Sequence, residues 1–195
     1  MPSFPRKTLL VLLALVAVFA LSACGDSHSK VTTGTYAGEG GAAAPYLNVG
    51  PLTYEVQVSR ELNPANAEDA TYLQGLTPAE AHLGPGQEWF AVFVQVYNNT
   101  SQEHQAATTF KVYDTEGNIY SPIVPDSSNQ FAYRGGLVPA NSQLPEPGTV
   151  ASETGVQGAL LLYKIQLASL EDRPWRLKIV DPTDPSQTAT VELDV

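Results

Sequence analysis

The stretch Trp89-Phe90-Ala91-Val92-Phe93-Val94-Gln95-Val96-Tyr97 decides the fold, because it is rich in β-branched and aromatic residues and is apolar on both sides. Side chains of a strand alternate between its two faces. One face would hold four apolar residues: Phe90, Val92, Val94 and Val96. The opposite face would hold Trp89, Phe93 and Tyr97. Such a strand is expected at the centre of a sheet that is covered on both faces.

Six further segments have the alternation or composition of short strands: residues 52–59, 108–113, 119–120, 158–167, 175–179 and 190–195. The alternation predicts which of their side chains point inward: Leu52, Tyr54, Val56 and Val58; Leu161, Tyr163, Ile165 and Leu167; Trp175, Leu177 and Ile179. Turn residues 114–118 predict a hairpin between the second and third of these segments. Thr77, followed by Pro78 and Glu80, predicts one short capped helical turn.

About seven short strands with almost no helix are typical of an antiparallel β-sandwich. The cysteine pair that crosses antibody domains is absent, because the chain contains one cysteine. The fold class predicted from the residues is therefore all-β, an Ig-like sandwich without a disulfide, built by 51–195.

Two segments carry a family resemblance. Residues 86–98, GQEWFAVFVQVYN, resemble the central strand of bacterial exported Ig-like domains, and residues 110–122, FKVYDTEGNIYSP, resemble their hairpin. The group is that of telokin-like domains in bacterial lipoproteins of unknown function, related to mycobacterial immunoprotective secreted antigens. The resemblance covers roughly 52–195. It implies a fold and an exported location, and it brings no catalytic residues.

The N-terminal region has the order of a secretory signal. Arg6 and Lys7 precede an uncharged apolar run at 9–21, which is followed by Ser22 and Ala23. As a helix the run would be roughly 20 Å long, which is short for a hydrocarbon core about 30 Å thick. The sequence therefore predicts a signal peptide at 1–23.

The lone cysteine lies directly after that signal. Leu21-Ser22-Ala23-Cys24 resembles the lipobox of bacterial lipoproteins, in which the cysteine is acylated and becomes the N-terminus. The alternative is an ordinary cleaved signal with a chance cysteine near the cut. A diacylated Cys24 would attach stably to a membrane. Residues 24–50, rich in Gly, Ala, Ser and Thr, would then form a lipidated flexible linker at the extracytoplasmic face of the cell membrane.

Composition limits the possible partners. The chain carries 10 Lys and Arg against 20 Asp and Glu, a net charge of −10. Loss of Arg6 and Lys7 with the signal would make it more negative. An acidic chain without basic clusters is poorly suited to nucleic acid, so we expect no nucleic-acid partner.

The sequence offers little catalytic chemistry. The three histidines, His28, His82 and His104, are far apart in the sequence, and no G-x-S-x-G motif is present. A zinc site from His82, His104 and a carboxylate stays open at this point. We expect a non-enzymatic protein without a cofactor.

A tyrosine-rich loop is the candidate binding surface. Tyr120, Phe131, Tyr133 and Arg134 lie in or beside the long segment 122–147, and exposed aromatic and arginine side chains are common at interfaces. The alternative is that these side chains hold the loop against the edge of the sandwich. The sequence thus favours an envelope interaction module with a protein partner, or else a small-ligand or metal-ion binding protein that uses this loop or the two histidines.

The lipobox yields the first prediction. Cys24→Ser removes the thiol that would be acylated, so the domain should be released from the membrane or accumulate as an uncleaved precursor. Membrane fractionation with intact-mass spectrometry measures both outcomes. A variant that is processed and retained at the membrane like the unmodified chain would contradict the lipobox.

Overall fold

The computed structural model describes residues 29–32, for their backbone, and residues 46–193. The predicted signal peptide, the lipidation site Cys24 and most of the predicted linker lie outside the described residues.

The described residues contain twelve strands and four short helical segments. The strands are β1 (Ser29–Thr32), β2 (Tyr46–Val49), β3 (Leu52–Leu62), β4 (Gln87–Asn98), β5 (His104–Ala106), β6 (Thr109–Tyr113), β7 (Ile119–Tyr120), β8 (Gly136–Val138), β9 (Ser142–Leu144), β10 (Ala159–Gln166), β11 (Trp175–Val180) and β12 (Thr188–Leu193). The helical segments are α1 (Ala67–Tyr72), α2 (Pro78–Ala81), α3 (Val150–Glu153) and a 3₁₀ helix (Leu167–Glu171).

Two sheets face each other, which confirms the predicted β-sandwich. One has the strand order β10-β4-β3-β2, and the other has the order β1-β12-β11-β6-β7. All pairs in them are antiparallel except β1 with β12. Strand β2 contacts β12 at one side of the sandwich, and β10 contacts β7 at the other. The seven predicted strands correspond to β3, β4, β6, β7, β10, β11 and β12.

Strand β4 is central, as predicted, with β3 on one edge and β10 on the other. The side chains of Phe90, Val92, Val94 and Val96 lie in the main core between the sheets and are fully buried. Trp175 of β11 packs against them from the facing sheet, with its ring centroid 5.3 Å from that of Phe90. The apolar alternation therefore places this core where the sequence predicts it.

The opposite face of β4 has a separate cover. Trp89 and Phe93 belong to an outer cluster that also contains Val58, Leu62, Tyr72, Ala91, Leu160 and Leu162. Helix α1 supplies Tyr72, whose ring centroid lies 4.9 Å from that of Phe93. The sequence analysis did not predict α1. The Asn66 side chain caps α1, because it accepts hydrogen bonds from the backbone N–H groups of Glu68 and Asp69.

The short helix α2 confirms the predicted capping box. The Thr77 hydroxyl accepts a hydrogen bond from the Glu80 N–H, and the Glu80 carboxylate accepts one from the Thr77 N–H. The Thr77 hydroxyl also donates to the Glu80 carboxylate at 2.7 Å, and this bond, followed by that from the Thr77 N–H, holds the pKa of Glu80 below its usual value.

Two predicted side-chain directions are wrong. Val56 pairs with Val94 but Val58 pairs with Phe93, so Gln57 is an extra residue in a β-bulge. The bulge reverses the facing of the strand, and Val58 joins the outer cluster rather than the main core. Leu167 is 53% exposed because β10 ends at Gln166 and the chain continues into the 3₁₀ helix.

The folded domain begins before the boundary predicted at residue 51. Strand β2 pairs with β3, and its Leu47 and Val49 side chains are buried in the main core. Gly50 then turns the chain with φ of 58°, and a Cβ at this position would lie 1.9 Å from Oδ2 of Asp181. Four alternating residues after a Gly- and Ala-rich stretch were too few to indicate a strand.

The buried face of β4 gives the second prediction. Val94→Asp places an unpaired charge in the main core and should lower the free energy of unfolding by about 4 kcal/mol or more, enough to unfold the domain. Val150→Asp is the matched control, since Val150 is 41% exposed at the first position of α3. The control should change stability by about 0.5 kcal/mol at most. Urea unfolding followed by tryptophan fluorescence measures both, and equal stability of the two variants would refute the assigned facing.

Candidate functional site

The loop formed by residues 121–135 covers the free edge of β10. The Ile123 N–H donates to the Leu162 carbonyl at 2.7 Å, and the Leu160 N–H donates to the Phe131 carbonyl at 2.7 Å. The Tyr133 N–H donates back to the Leu160 carbonyl at 2.9 Å. An uncovered edge would leave these groups available to another chain. The loop thus replaces a further strand at this side of the sheet.

Asn129 fixes the middle of the loop. Its side chain is buried, and Nδ2 donates to the carbonyls of Tyr72 and Gln74, both at 2.9 Å. Its Oδ1 accepts from the N–H groups of Phe131 at 2.9 Å and Ala132 at 3.0 Å. The four bonds use the amide fully and join the loop to the end of α1.

Arg134 closes the loop on itself. Its guanidinium donates to the carbonyls of Pro125 at 3.1 Å, of Asp126, and of Asn129 at 3.3 Å. The residue is nevertheless exposed, so its charge lies at the surface while the loop backbone holds its position. Bonds between a charged donor and a carbonyl are stronger than neutral ones.

Tyr133 anchors the end of the loop in the core. Its hydroxyl donates to the Ala107 carbonyl at 2.8 Å, while the Tyr54 hydroxyl accepts from the Ala107 N–H at 2.7 Å. Both backbone groups of Ala107 are therefore satisfied by tyrosines. Burial raises the pKa of Tyr54 to about 12, against an opposing effect of the Ala107 bond, and burial also raises that of Tyr133. Both hydroxyls stay protonated at neutral pH.

The remaining two predicted site residues pack inward as well. The Tyr120 ring stacks on that of Trp175, with the ring centroids 5.5 Å apart and an angle of 13° between the ring planes. The Tyr120 and Ser169 hydroxyl oxygens share a hydrogen bond of 2.7 Å. The Phe131 ring packs edge-on against that of Tyr72, with the ring centroids 4.8 Å apart. The four predicted residues do not form one exposed aromatic face. The three aromatic side chains hold the chain against the sandwich, and Arg134 is the exposed member.

Two clefts nevertheless meet at Tyr133 and Arg134. The first, of about 300 Å³, is lined by Thr108, Phe110, Pro122, Ile123, Val124, Tyr133, Arg134, Leu160 and Leu161. The second, of about 320 Å³, lies between residues 127–135 and the segment 144–151, and it is also lined by Ala159. Sequence reasoning named the cleft residues Phe131, Tyr133 and Arg134. It missed the lining residues from β6 and β10, because their approach depends on the sheet arrangement.

The histidines do not assemble into a metal site in the described part of the chain. There, no group of three or more His, Cys, Asp or Glu side chains is arranged to hold a metal ion. His82 ends α2, where its carbonyl accepts from the Lys164 ammonium, and His104 begins β5 opposite Val138. Across the same residues, no helix has the length and apolar character needed to cross a bilayer.

Comparison with known proteins supports the assignment of the fold. No protein-family model matches the chain, and no curated protein matches it. Among solved structures, yjhA from Bacillus subtilis has a TM-score of 0.50 at 12% identity, with 80% of this chain and 99% of that one covered. At this identity the likeness shows a shared fold and nothing about function.

Two further solved structures are less similar. The ycdA protein of Bacillus subtilis, a candidate lipoprotein, has a TM-score of 0.45 at 11% identity, covering 77% of this chain but 38% of its own. An uncharacterized β-sandwich protein from Clostridium difficile 630 has a TM-score of 0.43 at 11% identity, covering 84% and 96%. The resemblance to telokin-like domains and mycobacterial antigens stays a prediction.

A pair of buried tyrosines gives the third prediction. Tyr133→Phe leaves the buried Ala107 carbonyl unpaired and should lower the free energy of unfolding by about 1–3 kcal/mol. Tyr163→Phe is the matched control, because the Tyr163 hydroxyl is fully buried and has no hydrogen-bond partner among the described residues. The control should be neutral or stabilising. Chemical denaturation of both variants measures the difference, and an equal loss in the two would refute the role given to Tyr133.

Proposed function

We propose that the chain is a lipid-anchored protein of the extracytoplasmic membrane face whose sandwich is a non-enzymatic interaction module for an envelope protein. The loop 121–135 and the two clefts beside it form the binding surface. The anchor is argued from the order of basic, apolar and small residues before Cys24.

The observation that carries the binding role is the fixed, concave surface around Arg134. Both clefts meet at this residue, whose guanidinium is held by three carbonyls of the same loop. Together with the four bonds of Asn129, this arrangement fixes the loop before any partner arrives. A preorganised surface loses less conformational entropy on binding than a mobile loop does.

The second candidate, small-ligand binding, is favoured by the same clefts. Their volumes lie at the lower end of the range for ligand pockets. The metal-ion version has no such support among the described residues, because His82 and His104 do not join a group of ligands there.

The fourth prediction concerns the proposed binding surface and is tested by site-specific photocrosslinking in intact cells. A photoreactive amino acid at Gln130, which lines the second cleft and is exposed, should give a discrete crosslinked protein. The same probe at Lys111, which is exposed on β6 and is not among the residues that line either cleft, is the matched control and should give none.

The anchored state can be tested in the same experiment. Where Cys24→Ser releases the domain, the Gln130 crosslink should be lost, since release from the membrane removes the domain from its partner. Equal crosslinking from Gln130 and Lys111, or none from Gln130, would contradict the proposed surface.

A further inference from the structure

The first cleft has a buried apolar floor at the side of the sandwich where the two sheets come together. Phe110 belongs to β6 of one sheet and Leu161 to β10 of the other, and each is at most 3% exposed. The Tyr133 ring completes this floor, and Leu160, whose side chain belongs to the outer cluster, also lines the cleft. The Tyr133 hydroxyl is already bonded to Ala107, so it does not make the floor polar.

The rim of the first cleft carries one charge. Among the described residues that line it, Arg134 is charged, Thr108 has a hydroxyl, and Val124 is an apolar residue that is 56% exposed. The guanidinium has more N–H donors than its three carbonyl bonds use. The described ion pairs join Arg60 to Asp69 and Arg176 to Glu192, and neither involves Arg134.

Nearby carboxylates do not occupy the first cleft. Asp126 lies in the same loop, and its Oδ1 accepts from the N–H and hydroxyl of Ser128. The two Ser128 bonds keep the pKa of Asp126 low against the opposing effect of burial, and the Arg134 charge contributes least. Glu146 lines the second cleft, not the first. Arg134 thus lines both clefts, but the second also contains the Glu146 carboxylate, so the first is better suited to an anion.

We propose that the first cleft binds a small amphiphilic monocarboxylate, with its apolar body on Phe110, Tyr133 and Leu161 and its carboxylate at Arg134. This inference rests on the proposed binding role and names a ligand class for one of its clefts. A cleft of about 300 Å³ holds roughly ten water molecules at about 30 Å³ each. The apolar body is therefore short, of the size of a hexyl to octyl chain or a single aryl ring.

The fifth prediction uses the full lipidated chain in nanodiscs, with protein-free nanodiscs as the blank. Ligand-observed saturation-transfer NMR is recorded with butanoate, hexanoate and octanoate and with the alcohols of matched length. We expect saturable binding of the carboxylates above the blank, with affinity rising up to about fourfold per added methylene. Each carboxylate should bind more tightly than its matched alcohol.

Charge substitutions at the rim test the site without disturbing the loop. Val124 is exposed, so Val124→Asp should keep the fold and weaken hexanoate binding by about fivefold, while Val124→Lys should strengthen it by a similar factor. Leu167→Asp is the matched control, because Leu167 is 53% exposed and lies outside the first cleft. Its affinity for hexanoate should equal that of the unmodified chain.

Three results would overturn the inference: no saturable signal above the blank, equal affinities for carboxylates and matched alcohols, or equal affinities in the two Val124 variants. The protein partner is tested separately by the Gln130 crosslink. A retained crosslink with no carboxylate binding would refute the ligand and keep the proposed protein partner. Carboxylate binding with no crosslink would refute the protein partner and keep the ligand.

Discussion

Strand β4 is apolar on both faces, and this constraint determines the arrangement of the described domain. Neither face can remain in water, so the facing sheet covers Phe90, Val92, Val94 and Val96, and a second cover must shield Trp89 and Phe93. Helix α1 and the loop 121–135 provide that second cover through Tyr72 and Phe131. The loop that shapes both clefts is therefore required by the hydrophobic pattern of one strand.

Buried side-chain amides turn this cover into a fixed structure. Asn129 bonds to four backbone groups of the loop and of the chain at the end of α1. Asn98 has the same role at the end of β4, where Nδ2 donates to the Gln102, Val138 and Pro139 carbonyls and Oδ1 accepts from Thr100. Loops carry backbone polar groups that cannot be buried unpaired. Each asparagine satisfies several of these groups from one position.

The sequence predicted the elements whose determinants are local, and missed those that depend on distant partners. Alternation located β4, β10 and β11, and turn chemistry located the β6–β7 hairpin and the Thr77 cap. The bulge at Gln57 has no local signal, because it is defined by pairing with β4. Of the candidate site, Phe131, Tyr133 and Arg134 line the clefts. Tyr120 lies on Trp175, which is 55 residues later in the sequence, and composition cannot show such a contact.

Residues 46–193 contain no thiol, so the loop that holds Arg134 is closed without a disulfide. The chain's one cysteine is Cys24, so no disulfide can close the long segment that contains the loop. Three bonds from one guanidinium to Pro125, Asp126 and Asn129 close it instead. A disulfide is neutral, whereas this closure leaves a fixed positive charge at the surface of an acidic protein. Because the carbonyls orient it and it belongs to neither described ion pair, the same side chain that closes the loop is the group that we propose for the carboxylate in the first cleft.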